Sequence, residues 1–344
     1  MKGPQNMMSM KWGWACAAAA LLGMAWLGTG CRTTPKGLKL EQRQSMAQAD
    51  FQRAVRLVHA GKPDRAMSAL QSGLDLDPEN LACRLFLAGL LQENGNTTAA
   101  LQQYDVALKT VRKTDTNTTD RIMIYGNRGD CFLSMRRFAE AEADFSRALE
   151  LQPQEPAMMQ FKRGEARMGL KRYDEALADL TAVAQARPHE AWPWMRRGDC
   201  LFAMTNLIAA ADDYTVALER TPKDSALFAR RAAVYGALDQ EEMALADYTR
   251  ALDLEPENAR RWYDRAVSRL QLDQTKEAIA DFTEALKREP KRPEILVARG
   301  MARELAGDDS QALADYALAQ AVAPDYKPAA ENRKRLLDRA AAKR

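Results

Sequence analysis

The sequence predicts an all-α solenoid built from stacked helical hairpins. A pattern of 34 residues recurs along most of the chain, and its closing prolines fall 34 residues apart from Pro188 to Pro324. Each copy holds two stretches in which apolar residues recur at helical spacing, with a polar turn between them. Two short helices cannot bury their apolar stripes alone, so such hairpins need copies stacked on either side.

The pattern is clearest in residues 259–292. In the first half, Trp262 and Ala266 lie one helical turn apart, and in the second half Ala278 and Phe282 do the same. A polar turn separates the halves, and a proline near the end stops the second helix because proline cannot continue it. This stretch therefore defines the repeating unit.

Each copy carries the same residue types at its packing positions, counted from the first residue of the repeat. Position 20 is always alanine, position 27 is alanine apart from Gly73 and Val183, and position 8 is alanine or glycine. Small residues there let the two helices approach closely. The residue at position 24 is bulky and fills the gap between them: Leu70, Tyr104, Phe145, Leu180, Tyr214, Tyr248, Phe282 and Tyr316.

This pattern resembles the tetratricopeptide repeat family. The resemblance covers residues 47–326 and implies a superhelix of about eight repeats. We number the repeats 1 to 8 in chain order: 47–80, 81–114, 122–155, 157–190, 191–224, 225–258, 259–292 and 293–326. A polar insertion at residues 115–121 is predicted to be a surface loop, and residues 327–344 a helix that caps the last open face.

Residues 1–30 are predicted to be a signal peptide outside the fold, because a basic start precedes an uncharged, mostly apolar run with small residues at its end. The run from Leu27 to Cys31 resembles the lipobox of bacterial lipoproteins, with Gly28 in place of the usual bulky aliphatic residue. The resemblance implies that Cys31 is lipidated and begins the mature chain, with a polar tether over residues 31–46. The alternatives are an uncleaved membrane anchor, plain cleavage and a later start codon.

The charge balance and the residue types exclude several function classes. The chain has 50 basic and 47 acidic residues, which argues against bulk binding of nucleic acid. There are only two histidines, and we find no Gly-rich phosphate loop, paired metal ligands or nucleophile elbow. We therefore expect no enzyme activity, no catalytic or metal site, no cofactor and no small-molecule substrate.

Two further patterns are predicted to be structural. Cys83, Cys131 and Cys200 fall on first helices and are expected to be buried free thiols. Position 7 is arginine and position 23 is aspartate in repeats 3 to 8, whereas repeat 2 lacks both. The two positions lie at similar heights in an antiparallel helix pair, so ion pairs within a repeat or between neighbours are expected.

The resemblance also implies where a partner would bind. In this family, positions 2, 5, 9, 12 and 13 of each first helix line the concave face, where extended peptides or partner helices lie. The side chains that these positions predict for a groove are Met158, Phe161, Met168, Trp192, Met195, Phe202, Tyr263 and Leu270. The same positions in repeat 6 are almost bare, and Trp194 at position 4 is predicted to lie in the core. The alternative is that the groove side chains only pack against neighbouring helices.

Taken together, the resemblances imply a protein–protein interaction scaffold or adaptor, lipid-anchored to a bacterial envelope membrane and binding a protein or peptide. Arg32 follows the cysteine where some lipoproteins have aspartate, which implies the periplasmic side of the outer membrane. One alternative is a cytoplasmic regulator or chaperone cofactor whose start has been misread. Another is a non-catalytic subunit that activates an envelope enzyme.

Overall fold

The computed structural model describes residues 38–113 and 118–342, and in these ranges it contains seventeen α-helices and no strand. The all-α prediction is therefore confirmed. The helices are α1 (Leu40–His59), α2 (Pro63–Leu76), α3 (Leu81–Glu93), α4 (Thr97–Lys113), α5 (Thr118–Ser134), α6 (Phe138–Glu150), α7 (Ala157–Gly169), α8 (Tyr173–Ala186), α9 (Ala191–Ala203), α10 (Leu207–Arg220), α11 (Ser225–Ala237), α12 (Glu241–Leu254), α13 (Ala259–Gln271), α14 (Thr275–Arg288), α15 (Pro293–Leu305), α16 (Asp309–Val322) and α17 (Lys327–Ala342).

The helices form two bodies. The N-terminal body ends at Arg172 and holds α1 to α7, and the C-terminal body begins at Tyr173 and holds α8 to α17. Within each body, every helix packs mainly against the helices that precede and follow it in the sequence. Contacts between neighbours along the chain are what a solenoid of stacked hairpins requires.

The turn inside each repeat has one backbone conformation throughout. Position 15 has a positive φ in all eight repeats, although it is glycine only at Gly61, Gly95 and Gly307. The other five residues, with φ between 56 and 61°, are Arg136, Lys171, Thr205, Asp239 and Asp273. In every repeat the N–H of residue 16 donates to the carbonyl of residue 11, as in a Schellman motif. The first helix therefore ends at the same place in each copy.

The packing positions predicted from the repeat form the core. The alanine at position 20 is 0% exposed in all eight repeats. Position 24 is 0–2% exposed in seven repeats, and the half-buried Tyr248 is the exception. At position 8, a Cβ added to Gly129, Gly198 or Gly300 would lie 2.6–2.8 Å from the ring at position 24 of the same repeat. The ring at position 24 thus packs directly on the backbone of the first helix.

The arginine at position 7 pairs with the aspartate at position 23 of its own repeat. In repeats 3, 5, 6, 7 and 8, Nε and Nη2 of the arginine donate to the two carboxylate oxygens at 2.6–3.0 Å. The aspartates are only 1–3% exposed: Asp144, Asp213, Asp247, Asp281 and Asp315. The pairs thus lie within the repeat, where a planar guanidinium matches a carboxylate in two bonds.

In repeats 3, 4, 6 and 8, the third nitrogen of the arginine at position 7 reaches the preceding repeat. Nη1 of Arg128 donates to Asp105 at 2.6 Å, and Nη1 of Arg231 donates to the Thr215 hydroxyl at 2.9 Å. Arg163 and Arg299 make the equivalent bond to a serine and a threonine at 3.4 and 3.2 Å. In each case the acceptor is at position 25 of the repeat before. One arginine therefore fixes both a hairpin and its stacking on a neighbour.

Repeat 2 lacks this ion pair and instead has a buried arginine that is bonded to uncharged acceptors. Arg84, at position 4, is 9% exposed, and its Nη1 donates to the amide oxygen of Gln103 at 2.9 Å. Its Nη2 donates to the carbonyl of Pro78, and its Nε is buried without a partner. Burial lowers the pKa of Arg84. Gln103 stands where repeats 3 to 8 have aspartate, so this buried guanidinium lacks the counter-charge of the other repeats.

The tryptophan at position 4 is only half-buried, which corrects the prediction for Trp194. Its indole N–H donates to the carbonyl of Pro188 at 3.2 Å, and the Arg197 guanidinium lies 4.7 Å from its ring. Trp262 makes the same bond to Pro256 at 2.8 Å. A partly buried indole N–H needs an acceptor, and the carbonyl of the closing proline supplies one at the edge of the core.

The structure differs from the sequence predictions at two connections. Helix α1 begins at Leu40, so the later part of the predicted tether, residues 31–46, is helical. Helix α5 begins at Thr118, so residues 118–121 of the predicted loop 115–121 form its first turn. Polar residues suggested a loop, but threonine and aspartate are also common where a helix begins. The signal peptide and Cys31 lie outside the described residues.

The last helix, α17, covers the end of the C-terminal body as predicted. Ala329 and Leu336 are buried, and α17 packs against α16, whereas Leu337 is 45% exposed. Arg335 and Arg339 donate to the carboxylate of Glu304 in α15 at 2.8 and 3.1 Å. The helix thus has one buried face and one solvated, basic face.

The three cysteines of the described ranges are buried free thiols, as predicted. Burial raises the pKa of Cys83 and Cys131 to about 12 and that of Cys200 to about 11. The thiols stay protonated at neutral pH, and a protonated thiol is a poor nucleophile. Their role is therefore to pack.

Candidate functional site

The predicted groove side chains lie on the first helices of repeats 4, 5 and 7. In the N-terminal body, Met158 and Met168 of α7 are half-buried, but Phe161 is only 7% exposed. The expectation that Phe161 forms an accessible wall therefore does not hold. Its ring is covered by the fold, which is the alternative that the sequence left open for such side chains.

The C-terminal body presents apolar surface on α9. Trp192, Met195 and Phe202 lie three and seven residues apart, a spacing that places them on one helical face. Phe202 is 40% exposed, and Trp192 and Met195 are half-buried. The Trp192 indole donates to the carboxylate of Glu190, which orients the ring, and Met195 packs against the core cluster below it.

On α13 the predicted side chains also belong partly to the core. Tyr263 and Leu270 are half-buried and pack against the cluster that contains Phe282. The rings of Tyr263 and Phe282 are 5.6 Å apart at an angle of 60°, and the Arg260 guanidinium lies 5.5 Å from the Tyr263 ring. These side chains therefore offer one side to the core and the other to solvent.

An acidic residue at a predicted concave-face position, whose contacts were not predicted, joins three elements of this surface. Asp199, at position 9 of α9, accepts from the Tyr214 hydroxyl at 2.8 Å and from Nη1 of Arg230 at 2.5 Å. Arg196 donates to its other oxygen at 3.2 Å. The sequence did contain a signal for this contact. The buried hydroxyl of Tyr214 needs an acceptor, and Asp199 on the facing helix of the same repeat can provide one.

Repeat 6 holds an open pocket where the sequence predicted a bare surface. The pocket measures about 350 Å³. Its lining residues come from three helices: Ala226, Ala229, Arg230, Ala233, Tyr248, Arg260, Arg261 and Asp264. At the positions of Ala226 and Ala229, repeats 5 and 7 carry tryptophan, methionine, arginine or tyrosine. The missing side-chain volume is what opens the pocket.

The small side chains on the first helix of repeat 6 also explain why Tyr248 is not fully buried. In repeats 2, 5 and 8, the tyrosine at position 24 donates its hydroxyl to a side chain at position 9 or 12. Those positions are Ala233 and Gly236 in repeat 6, and the Tyr248 hydroxyl has no hydrogen-bond partner in the described part of the chain. Burial, with help from Asp264 and Glu241, raises the pKa of Tyr248 to about 12. The phenol is therefore a protonated, unused donor.

Charged groups ring the rest of the pocket. Nε of Arg260 donates to Asp264 at 2.5 Å, while the Arg260 side chain as a whole is 68% exposed. Arg261 donates to Glu255 at 3.1 Å and to the Ser225 hydroxyl at 2.9 Å. Burial raises the pKa of Asp264. The only carboxylate in the lining is thus turned towards arginines.

The described residues contain neither a metal-ligand cluster nor a helix suited to cross a membrane. No group of three or more histidine, cysteine, aspartate or glutamate side chains in these ranges could hold a metal ion. No described helix is long and apolar enough to cross a membrane.

Comparison with known families agrees with the geometry. Tetratricopeptide repeat models match residues 57–116, 122–155, 161–225 and 232–303. The chain belongs to the tetratricopeptide repeat family. A comparison with curated proteins finds no significant match.

Solved structures show the same fold. A tetratricopeptide repeat protein from Parabacteroides merdae ATCC 43184 is 18% identical with a TM-score of 0.56, over 71% of this chain and 93% of that one. The C-terminal part of a repeat-containing protein from Cytophaga hutchinsonii is 17% identical with a TM-score of 0.59, over 72% of this chain and 98% of that one. As a tetratricopeptide repeat protein, the chain is a scaffold for protein–protein interaction, a fold that is typically non-catalytic.

Proposed function

We propose that this tetratricopeptide repeat protein is a lipid-anchored scaffold of the bacterial cell envelope that holds a partner protein or peptide against the first helices of its repeats. The observation that carries the binding role is the apolar face of α9. There Phe202 is 40% exposed beside the half-buried Trp192 and Met195. Methionine and aromatic side chains left open to solvent suit adaptable apolar binding.

The anchoring role is supported by the sequence before the described residues. The uncharged run that ends at Cys31 resembles a lipoprotein signal, and Arg32 after it suits the outer membrane. An acyl-modified cysteine would attach the repeats to the membrane through the short segment ahead of α1. Three acyl chains at roughly 0.8 kcal/mol per buried methylene would make this attachment essentially permanent.

Replacing Cys31 with serine is expected to leave the protein unprocessed or to release it into the soluble fraction. The hydroxyl of serine does not accept the lipid, so the acyl chains that hold the membrane are lost. Metabolic labelling with palmitate, together with membrane fractionation, measures both effects. The wild-type chain should carry label and sediment with outer-membrane markers.

The control is Cys16→Ser, which changes the other cysteine of the leader and should leave labelling and fractionation unchanged. If the Cys31→Ser protein is labelled and fractionates like wild type, the anchoring proposal is wrong. Partner binding is tested separately, by the cross-linking experiment that closes the Discussion, so failure of one role does not conceal the other.

A further inference from the structure

The alanine-walled pocket of repeat 6 has a chemistry of its own. Its apolar wall is formed by Ala226, Ala229 and Ala233, which lie three and seven residues apart on α11. This spacing places them on one face, so the wall is a smooth strip of methyl groups. Its volume of about 350 Å³ leaves room for large side chains that this chain does not supply.

The polar atoms that remain open in the pocket are hydrogen-bond donors. The Tyr248 hydroxyl has no partner, and Arg260 uses only Nε, leaving both terminal nitrogens without a hydrogen bond in the described structure. Arg230 and Arg261 add positive charge, although each is also bonded to a carboxylate outside the lining. Three guanidinium groups and one phenol thus face a single carboxylate.

That carboxylate is not free to bind a cation. One oxygen of Asp264 accepts from Arg260 at 2.5 Å, and the other lies 3.7 Å from Nη1 of Arg261. A basic side chain entering the pocket would meet arginines first, and the one carboxylate of the lining already faces arginines with both oxygens. Charge complementarity therefore favours an anionic occupant.

We infer that this pocket binds an acidic segment of the partner protein, with a glutamate or aspartate carboxylate at Arg260 and Tyr248 and a small apolar neighbour against the alanines. The exposed guanidinium supplies two parallel donors, the geometry that a carboxylate takes in a bidentate pair. The phenol supplies a third donor, and the methyl wall excludes water from one side. The inference rests on the proposed function, because it names part of what the scaffold would recognise.

The test measures binding of a fluorescent peptide of alternating glutamate and alanine to the full chain purified in detergent, by anisotropy at low salt. The same peptide with glutamine in place of glutamate is the ligand control. The glutamate peptide should bind at least about tenfold more tightly than the glutamine peptide, the effect of one lost charge-assisted bond.

Three variants locate the binding. Arg260→Gln removes the open guanidinium and should weaken glutamate-peptide binding about tenfold. Ala226→Met fills the pocket with the residue that repeat 4 has at this position, Met158, and should weaken it by a similar factor. Tyr248→Phe keeps the ring and removes only the hydroxyl, with an expected loss of about threefold.

Arg292→Gln is the matched control, since Arg292 is 56% exposed and does not line the pocket. It should bind the peptide like wild type, and circular dichroism should show that all four variants are folded at the assay temperature. Equal binding of the two peptides, or no effect of the three pocket variants, would overturn the inference. An oligonucleotide that binds with the same dependence on Arg260 would also overturn it, in favour of a phosphate ligand. If the peptide test fails while a partner still cross-links at Phe202, the pocket assignment is wrong and the scaffold function stands.

Discussion

The Asp213→Ala variant is expected to unfold with a free energy about 3 kcal/mol lower than wild type. Asp213 is 3% exposed and accepts two bonds of 2.7 Å from Arg197. Removing the carboxylate leaves a guanidinium that is mostly buried and has lost its counter-charge, and such a group is costly to keep out of water. Urea unfolding followed by circular dichroism gives the free energy of unfolding.

Asp212→Ala provides the matched control, because Asp212 is the neighbouring residue on α10 and its side chain is exposed. Its effect should stay within about 0.5 kcal/mol. The double variant Arg197→Met with Asp213→Leu removes both charges and should regain much of the lost stability. If Asp213→Ala and Asp212→Ala are equally mild, the ion pair is not what fixes the hairpin.

The Phe282→Ala variant is expected to lose about 3–5 kcal/mol, as the truncation of a buried aromatic does. The Phe282 ring is 0% exposed and packs in one cluster with Ala266, Ala278 and Ala285. Alanines cannot expand into the vacated volume, so a cavity remains. Thermal and urea unfolding measure the loss.

Leu318→Ala is the control, because Leu318 is 48% exposed and its truncation opens no cavity. Hydrogen exchange adds a second readout for Phe282→Ala. Amide protection should fall in α13 to α15 and persist in α9 and α10, since a hairpin array couples mainly through nearest neighbours. Uniform loosening across the whole C-terminal body would contradict that one-dimensional account.

The sequence predicted the fold well because packing in a repeat is local and recurs. Small residues at positions 8, 20 and 27 have one physical use, which is close approach of two helices, and eight copies separate that signal from chance. The conformation of the turn within each repeat was harder to predict. Position 15 adopts a left-handed backbone conformation in every repeat, yet it is glycine in only three of them. Other residues, such as Thr205, tolerate the strain because the two flanking helices hold the turn in place.

The candidate site was harder to predict because exposure depends on neighbours. Phe161 and Phe202 both sit at predicted groove positions, yet one is 7% and the other 40% exposed. Trp194 was expected in the core, but its N–H needs an acceptor, and the carbonyl of Pro188 holds it at the edge. A periodic pattern predicts on which face of a helix a residue lies, but it does not predict which neighbouring residues cover that face.

The pocket of repeat 6 was likewise only partly predictable from the sequence. The three alanines were visible as a bare stretch, and Tyr248 was predicted to be core like every other residue at position 24. The sequence analysis did not predict that together they leave an open pocket and a tyrosine hydroxyl without an acceptor. That prediction requires comparing the residues that face each tyrosine at position 24. Only Tyr248 faces alanine and glycine at positions 9 and 12 among the tyrosines at this position. That comparison can be made from the sequence of any repeat protein.

The most direct test of the scaffold function is site-specific photo-cross-linking in intact cells, which does not depend on the membrane anchor. Phe202 and Met243 are exposed to a similar extent, 40% and 48%, but Phe202 lies on the apolar face of α9 and Met243 lies on the second helix of repeat 6. Each would be replaced in turn by the photoreactive amino acid p-benzoylphenylalanine. We predict a discrete cross-linked partner from position 202 and none from position 243. Cross-links from position 243 alone, or the same adducts from both positions, would contradict binding on the first helices.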